Sequence, residues 1–172
     1  MKIINNHKKL PSDLELKIPR EEQGKDIWQL VKDTRVLDLN SPYSYLMLCK
    51  YFGDTCVAAE YEGRVVGFVS AFRPASDPQV IFVWQVAVDE ALRRRRLGMT
   101  MLKHLLARES CQQVRYLEIT VTPSNQAAYS LYRQLAEELN TTCEESECFP
   151  ARMFPGQQHE DEVLLRIGPL KE

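Results

Sequence analysis

Four consecutive arginines, Arg93 to Arg96, follow an apolar strand-like run and precede Leu97 and Gly98, where a helix is expected to begin. A guanidinium binds a phosphate through two parallel hydrogen bonds. The first N–H groups of a helix lack intrahelical partners and carry the positive end of its dipole, so they also favour an anion. A strand, an arginine loop and a helix start in this order predict a phosphate-binding site.

The alternatives for this basic run are a solvated patch or a contact with nucleic acid. The chain has 22 Lys and Arg against 24 Asp and Glu, a net charge of −2 and a pI of about 6.0. Such a chain has no overall attraction to nucleic acid or to an acidic membrane surface. The arginines are therefore interpreted as a local device for a small anionic ligand, with neither nucleic acid nor membrane as a partner.

The run from Val88 and Asp89 through Arg93 and Arg96 to Leu97-Gly98 resembles the acetyl-CoA pyrophosphate loop of the GNAT N-acetyltransferase superfamily. The superfamily's loop glycines fall on Arg94 and Arg96, so cationic charge would replace part of the close backbone approach that glycine allows. The resemblance implies acetyl-CoA as cosubstrate, with no metal. It also implies these cosubstrate-binding residues: Val86, Ala87, Val88, Arg93, Arg94, Arg95, Arg96, Leu97, Gly98 and Met99.

A later segment with Asn125, Ala128, Tyr129 and Tyr132 resembles the second GNAT motif, in which an Asn and a Tyr face the thioester end of CoA. By this resemblance all four residues contact the cosubstrate, and Tyr132 is the general acid that protonates the departing thiolate. The alternative for Tyr132 is a half-buried helix residue whose hydroxyl has a structural partner.

Four further segments narrow the resemblance: residues 37–45, 82–88, 122–125 and 159–164. Together they are similar to the L-2,4-diaminobutyrate Nγ-acetyltransferases of ectoine synthesis, over about residues 15 to 168. That family transfers an acetyl group to the γ-amine and forms N4-acetyl-L-2,4-diaminobutyrate. The resemblance also implies direct amine attack in a ternary complex, and a homodimer.

Diaminobutyrate carries two ammonium groups and a carboxylate, so carboxylates suit it as ligands and its amine must lose a proton before attack. The predicted substrate-binding residues are Asp38, Asn40, Tyr43, Trp84, His159 and Glu162, of which Glu162 and His159, with Tyr132, are also predicted to be catalytic. The identity of the general base stays open, as does the choice among Asp38, Glu160, Asp161 and Glu162 for contact with substrate.

Each of these residues has a structural alternative. Asp38 fits a turn that bonds its own backbone. The run from Glu160 to Glu162 fits a solvated approach to a strand, and His159 a surface histidine. Trp84 faces opposite to Val83 and fits core packing if its side of the strand is covered.

Two other functions fit the same motifs. The chain could acetylate another small amine, such as a polyamine, lysine or ornithine, or a protein amine. It could also be a CoA-binding sensor without turnover, since two loop glycines are replaced.

Alternating or helically spaced apolar residues predict the elements that hold these groups. Strands are expected at 14–18, 55–61, 64–72, 80–88, 114–122 and 163–167, with a two-residue turn at Glu62-Gly63. Helices are expected after Pro19, from about Tyr45, from Leu97, and after Ser124 as N-cap, while 143–158 is expected to be irregular. The spacing places Ile27, Leu30, Val31 and Thr34 on one face of the first helix, and Leu97, Met101, Leu102, Leu105 and Leu106 on one face of the third. This order predicts a mixed α/β fold, specifically the GNAT fold, with a central and mostly antiparallel sheet flanked by helices.

Length and composition predict one domain over residues 1–172, with residues 1–12 as a loose lead-in. No run reaches the ~20 apolar residues that a membrane span needs, and the polar start lacks a signal-peptide core. Five cysteines without a C-x-x-C pair predict free thiols and a cytoplasmic protein.

Overall fold

The computed structural model describes residues 9–170, in which the chain forms two compact units. One unit comprises the chain up to Ala71 together with Gln85–Ser110. The other comprises Phe72–Trp84 and the chain from Cys111 onward. Residues 1–8 of the predicted lead-in lie outside the described part, and a single domain over the whole chain stays a prediction.

Strands β1 (Glu15–Lys17), β2 (Val57–Tyr61), β3 (Arg64–Phe72) and the C-terminal part of β4 (Val80–Val88) lie in the first unit. β2 pairs antiparallel with both β1 and β3. Glu62 and Gly63 join β2 to β3 with φ values of 49° and 72°, as a two-residue hairpin turn of the type I′ kind requires. The predicted hairpin is confirmed.

Helix α1 (Gly24–Thr34) buries one face in the first unit. That face carries Ile27, Leu30, Val31 and Thr34, which are the four residues that the periodicity predicts. They pack with residues of α2 (Pro42–Tyr51) and with Phe68 and Ala87 of the strands. Each Å2 of apolar surface that these contacts bury stabilises the folded state by about 25 cal/mol.

Helix α2 begins earlier than predicted, because Ser41 precedes it as N-cap and Pro42 occupies its first turn, where a proline loses no hydrogen bond. Its buried residues are Tyr45, Leu48 and Cys49. Leu46 and Phe52, which are apolar residues of the same stretch, are 43% and 42% exposed. The predicted helix is confirmed, but it begins at Pro42 and not near Tyr45.

Helix α3 (Leu97–Leu106) follows the arginine loop, residues 89–96, and completes the first unit. Leu97, Met101, Leu102 and Leu105 of the predicted face are buried, and Met99 is buried with them. Leu106, also predicted on that face, is half-buried. These side chains anchor the first turn of α3 as well as its middle.

The second unit contains the N-terminal part of β4, then β5 (Tyr116–Val121), helix α4 (Gln126–Glu138), β6 (Thr142–Phe149) and β7 (Glu162–Gly168). β4 pairs parallel with β5, and β7 pairs antiparallel with β5 and with β6. Helix α4 buries Tyr129, Tyr132, Leu135 and Ala136.

Strand β6 corrects the prediction that residues 143–158 are irregular. Its side chains are exposed or half-buried, with Glu144, Glu145 and Glu147 among them. An edge strand with a charged surface lacks the apolar alternation by which strands are recognised. Its pairing with the partly buried β7 holds it in place.

Neighbouring strands are hydrogen-bonded in the order β1-β2-β3-β4-β5-β7-β6. The four ladders described as antiparallel and the parallel ladder of β4 with β5 agree with the predicted mixed, mostly antiparallel sheet. Within residues 9–170, none of the helices combines the length and apolar character that crossing a bilayer demands.

Candidate active site

The arginine loop begins with a short turn that is held from within. The Asp89 carboxylate accepts a hydrogen bond from the Ala91 amide at 2.9 Å, and the Asp89 amide donates to the Val66 carbonyl at 2.9 Å. Leu92 is buried at 6% exposure and anchors the turn in the core. The path of the loop from β4 to α3 is therefore fixed at its start.

Arg94 and Arg96 both adopt the left-handed backbone conformation, with φ of 59° and 66°. This region favours glycine, and a residue with a side chain occupies it at a cost of order 1 kcal/mol or more. The two positions are those on which the superfamily's loop glycines fall. The arginines therefore keep the backbone conformation that glycine would adopt there and add two positive charges.

Arg96 is also the N-cap of α3, and its carbonyl accepts hydrogen bonds of 2.9 Å from the Thr100 amide and hydroxyl. Its side chain makes no capping bond to the helix. The N–H groups of Leu97, Gly98 and Met99 in the first turn have no intrahelical acceptor. A phosphate at this end would satisfy them and interact favourably with the helix dipole.

The side chain of Arg93 is directed to main-chain carbonyls of its own unit. Its Nε lies 3.4 Å from the Val88 oxygen and its Nη2 lies 3.4 Å from the Thr34 oxygen at the end of α1. It borders an open cavity of about 470 Å3, whose charged lining also includes Asp26, Asp33, Arg64, Asp89 and Glu90. The nearby Arg95 donates to the Lys9 carbonyl at 3.5 Å.

Strand β4 supplies the residues before the loop. Its ladder with β5 covers Val80–Phe82 and Tyr116–Glu118, and β4 itself continues to Val88. Ala87 is fully buried, whereas Val86 and Val88 are half-buried. Trp84 is 43% exposed and Val83 is fully buried, so the side of β4 that carries Trp84 faces outward and core packing does not account for this residue.

Helix α4 is capped by Asn125 rather than by Ser124 as predicted. The Asn125 side-chain oxygen accepts from the Ala128 amide at 3.1 Å, which is the bond that an N-cap makes to the third residue of its helix. The Ser124 amide and hydroxyl instead donate to the Glu160 carboxylate. With its oxygen engaged, Asn125 keeps its NH2 group for a ligand.

Two tyrosines of α4 are buried. Tyr132 is 1% exposed, and burial raises its pKa far above the usual phenol value. Tyr129 is 8% exposed, its pKa is raised chiefly by burial, and Arg133 lies 5.2 Å from its ring centre. Within residues 9–170 the Tyr132 hydroxyl has no hydrogen-bond partner, so its proton is retained at neutral pH and is available to a ligand.

Two predicted substrate residues lie in the segment before α2, and a third lies in the helix itself. Asp38 is exposed, Asn40 is half-buried, and Tyr43 is 68% exposed in the first turn of α2. In the described part of the chain, the Asp38 carboxylate forms neither a hydrogen bond nor an ion pair. The alternative of a turn that Asp38 bonds to its own backbone is therefore not supported.

His159 and Glu162 come together in the second unit. The imidazole stacks on Phe154 with ring centres 3.7 Å apart, and its Nδ1 lies 2.6 Å from the Glu160 carbonyl oxygen. Because a carbonyl only accepts, Nδ1 carries a proton. The Nε2 atom lies 3.9 Å from Glu162 Oε1. When His159 is neutral, Nε2 and the carboxylate oxygen are two hydrogen-bond acceptors close to each other.

The other acids of this run have structural partners. The Glu160 carboxylate accepts from the Ser124 amide at 3.2 Å and from its hydroxyl. Asp161 accepts from the Ala151 amide at 2.6 Å. Of the three acids, Glu162 is the one directed toward His159.

Sequence reasoning did not identify Gln85 of β4, which is 5% exposed. Its NH2 group donates to the Asp38 carbonyl at 2.7 Å, and its oxygen accepts from the Tyr45 hydroxyl at 3.1 Å. The sequence feature that could have identified Gln85 is its place as the one polar residue of the apolar run 80–88.

Comparison with known proteins shows which family this arrangement belongs to. The pattern of the acetyltransferase (GNAT) family matches residues 24–136. The chain belongs to the GNAT acetyltransferase family. The fold expected from the arginine loop and from the order of the elements is therefore confirmed.

Members of this family named L-2,4-diaminobutyric acid acetyltransferase resemble the chain over nearly its whole length. The protein from Halalkalibacterium halodurans is 48% identical over 163 residues, 95% of this chain and 86% of the relative. The one from Shouchella clausii is 46% identical over 158 residues, 92% and 88% of the two chains. The resemblance to this group of enzymes that the sequence indicated is confirmed.

A solved structure gives the same result in three dimensions. The diaminobutyrate acetyltransferase from Paenibacillus lautus, in complex with its substrate L-2,4-diaminobutyric acid and coenzyme A, has a TM-score of 0.90 and 44% identity to this chain. The match covers 94% of this chain and 98% of that one.

Proposed function

We propose that the protein transfers the acetyl group of acetyl-CoA to the γ-amine of L-2,4-diaminobutyrate, giving N4-acetyl-L-2,4-diaminobutyrate for ectoine synthesis. The observation that carries this proposal is the 44% identity, over 94% of the chain, to a structure solved with diaminobutyric acid and coenzyme A. The curated relatives of the same name, at 46–48% identity, support it.

The cosubstrate's pyrophosphate would bind at the start of α3. The uncapped N–H groups of Leu97, Gly98 and Met99 and the charges of Arg94 and Arg96 support this placement. Beyond its ladder with β5, β4 continues from Val83 to Val88, so its main chain would pair with the pantetheine amides as an added strand does. The Val86 amide would donate to the oxyanion.

Tyr132 would act as general acid. As the γ-amine nitrogen forms a bond to the acetyl carbon, the carbon–sulfur bond breaks and the sulfur leaves as a thiolate. The buried phenol, whose pKa burial raises, stays protonated until that step and would give its proton to the sulfur. Asn125 and Ala128 at the start of α4 would contact the same cosubstrate, and Tyr129 would pack behind them.

His159 and Glu162 would prepare the amine. A neutral Nε2 and a carboxylate oxygen 3.9 Å apart both accept hydrogen bonds, so a water or an ammonium donates to both at once. An alkylammonium with a pKa near 10 must lose a proton before it attacks, and this pair would take that proton, directly or through water.

Asp38 would bind an ammonium group of the substrate, because its carboxylate is exposed and makes no described bond to the chain. Asn40, in the same segment, and Tyr43, in the first turn of α2, would donate to the substrate's carboxylate. Trp84, with its partly exposed ring, would form an apolar or cation–π contact. Holding the α-end of the substrate away from the thioester directs acetylation to the γ-amine.

We further propose that the protein is a homodimer in the cytoplasm. The assembly rests on the resemblance to the diaminobutyrate acetyltransferases. The five cysteines are all free thiols, which fits a reducing compartment.

A direct assay tests the activity. The purified protein is given acetyl-CoA with diaminobutyrate, lysine, ornithine or spermidine, and thiol release is followed together with the mass and NMR spectrum of the product. We expect kcat/KM to be highest for diaminobutyrate and the acetyl group to be on the γ-nitrogen. Preference for another amine would assign a different acceptor, and CoA binding without release on any amine would assign a sensor.

A further inference from the structure

We propose that Gln85 is a positioning residue. It fixes the main chain of residues 36–40, here called the Asp38 segment, and thereby sets the affinity for the amine substrate. This inference rests on the proposed function, since it takes Asp38 as a ligand of that substrate. Gln85 contacts neither the amine nor the thioester. It acts through Asp38.

The bonds of Gln85 tie three elements of the first unit together. From β4, its NH2 group donates to the Asp38 carbonyl at 2.7 Å, and its side-chain oxygen accepts from Tyr45 of α2 at 3.1 Å. Its amide donates to the Ser70 hydroxyl of β3 at 3.0 Å. The segment before α2, helix α2 and strands β3 and β4 are thus joined by the side chain and the main-chain amide of Gln85.

The network fixes which way the carboxamide points. The Asp38 carbonyl can only accept, so the NH2 group must face it. The oxygen then faces Tyr45, whose hydroxyl must donate. Since Tyr45 and Ser70 are fully buried and Gln85 is 5% exposed, a lost partner would leave a desolvated polar group without a hydrogen bond.

The Asp38 segment is held by the packing of Leu37 on the core of the first unit and by the hydrogen bond from Gln85. Residues 36–40 lie outside any helix or strand. Within the described part of the chain, the bond from Gln85 is their hydrogen bond to the rest of the protein. The anchor holds the main chain and leaves the carboxylate of Asp38 for a ligand.

An anchored segment presents Asp38 in one position before the substrate arrives. If the segment sampled several positions, the apparent Kd for the amine would rise in inverse proportion to the competent fraction. Contacts with acetyl-CoA are expected to persist, because the proposed cosubstrate contacts of β4 are made by its main chain, whereas the anchor is the Gln85 side chain.

Three variants separate the two bonds. Gln85→Met has a similar volume and loses both. Tyr45→Phe loses the bond between residue 45 and Gln85 but keeps the bond from Gln85 to the Asp38 carbonyl. Gln85→Glu keeps an acceptor for Tyr45, but donates to the Asp38 carbonyl only when its carboxyl is protonated.

We expect Gln85→Met to raise the KM for diaminobutyrate about tenfold, with the KM for acetyl-CoA within twofold of wild type. Tyr45→Phe is expected to raise the amine KM less than about threefold. For Gln85→Glu, the ratio of its amine KM to that of wild type is expected to fall as the pH is lowered, because protonation restores the donor. Protonation of the substrate affects both proteins equally and cancels in the ratio.

Hydrogen exchange of residues 36–40 gives a readout that does not depend on turnover. We expect faster exchange of this segment in Gln85→Met and near wild-type exchange in Tyr45→Phe, with α1 and α3 unchanged in both. Unchanged exchange and unchanged amine KM in Gln85→Met would overturn the proposal. If wild type fails to acetylate diaminobutyrate, the proposed function fails, while exchange still decides whether Gln85 anchors the segment.

Discussion

Arg94 and Arg96, one residue apart in the arginine loop, both have left-handed backbone conformations, with φ of 59° and 66°. Two side-chain-bearing residues in this conformation so close together indicate that the loop's course is imposed by its surroundings. The start of α3 and the turn at Asp89 are those surroundings. The two arginines thereby add positive charge to the loop without changing the path of the chain.

Replacing Arg96 tests this separation of backbone and charge. Arg96→Gly and Arg96→Ala both remove the guanidinium, but only glycine adopts positive φ without strain. We expect the glycine variant to unfold with a free energy about 1 kcal/mol higher than the alanine variant. Both should raise the KM for acetyl-CoA by a similar factor, about tenfold. Chemical denaturation and steady-state kinetics measure the two effects, and equal stability of the two variants would contradict the strain.

Tyr132→Phe removes the phenol proton and little packing. We expect kcat to fall about a hundredfold, as loss of a general acid typically does, with little change in the KM for acetyl-CoA. Because burial raises the Tyr132 pKa, wild-type kcat should show no loss up to pH 9 from ionisation of this group. Tyr51→Phe, at a position 64% exposed, is the control for removal of a phenol, and equal kcat in the two variants would clear Tyr132 of the role.

Asp38→Asn should weaken binding of the amine. Loss of the charge removes the ion pair proposed with an ammonium group, so we expect the KM for diaminobutyrate to rise about tenfold and that for acetyl-CoA to stay constant. Asp26→Asn, an exposed change on α1, is the matched control for loss of one carboxylate. An amine KM that changes equally in both variants would assign the effect to net charge.

The neighbouring acids Glu160 and Glu162 should behave differently. Glu162→Gln removes the negative charge beside His159 and the group that can take a proton, and it is expected to lower kcat/KM for diaminobutyrate at least tenfold. Glu160→Gln weakens the contact with Ser124, so we expect near-normal kinetics and a Tm lower by about 2–4 °C. Thermal unfolding and steady-state kinetics of both variants test this. A kinetic loss in Glu160→Gln with near-normal kinetics in Glu162→Gln would assign the substrate role to Glu160.

Glu60 predicts a pH dependence of stability. Its carboxylate accepts from Gln23 at 2.7 Å, Arg20 at 3.2 Å and Lys17 at 3.3 Å. Burial alone raises its pKa, but the Gln23 hydrogen bond and the Lys17 and Arg20 charges outweigh burial and lower the pKa below its usual value. Its stabilisation is therefore complete above the unfolded-state pKa and is lost as the pH falls through the lower, folded-state pKa.

The variant Glu60→Gln does not titrate at this position. We expect it to be less stable than wild type by about 1 kcal/mol at pH 7, with the difference shrinking below about pH 4. Urea unfolding across pH 3–7 measures this, and a difference that grows in acid would reverse the sign of the pKa shift.

Where a buried apolar face or a sharp turn determined an element, the sequence was sufficient to predict it. Ile27, Leu30, Val31 and Thr34 marked the face of α1, and Glu62-Gly63 marked the hairpin. Strand β6 gave no such signal, because exposed glutamates replace apolar alternation at an edge. Apolar patterns and turn motifs in the sequence thus predict the buried elements of the fold better than its exposed edge strand.

The candidate site was predictable in its residue types and less so in its contacts. The arginine loop and Tyr132 follow from motifs. The capping role of Asn125 and the engagement of Glu160 with Ser124 depend on hydrogen bonds between neighbouring groups, which spacing does not resolve. Gln85 bonds to Asp38, 47 positions away in sequence, and a contact of that range leaves no local pattern.

The two terminal strands of the hydrogen-bonded order are β1 and β6. β1 is three residues long, and β6 carries Glu144, Glu145 and Glu147. A long, uncharged border would offer its free main-chain groups to another molecule and seed aggregation. The short length of β1, and the repulsion between the glutamates of β6 in neighbouring molecules, therefore protect the protein from edge-to-edge aggregation.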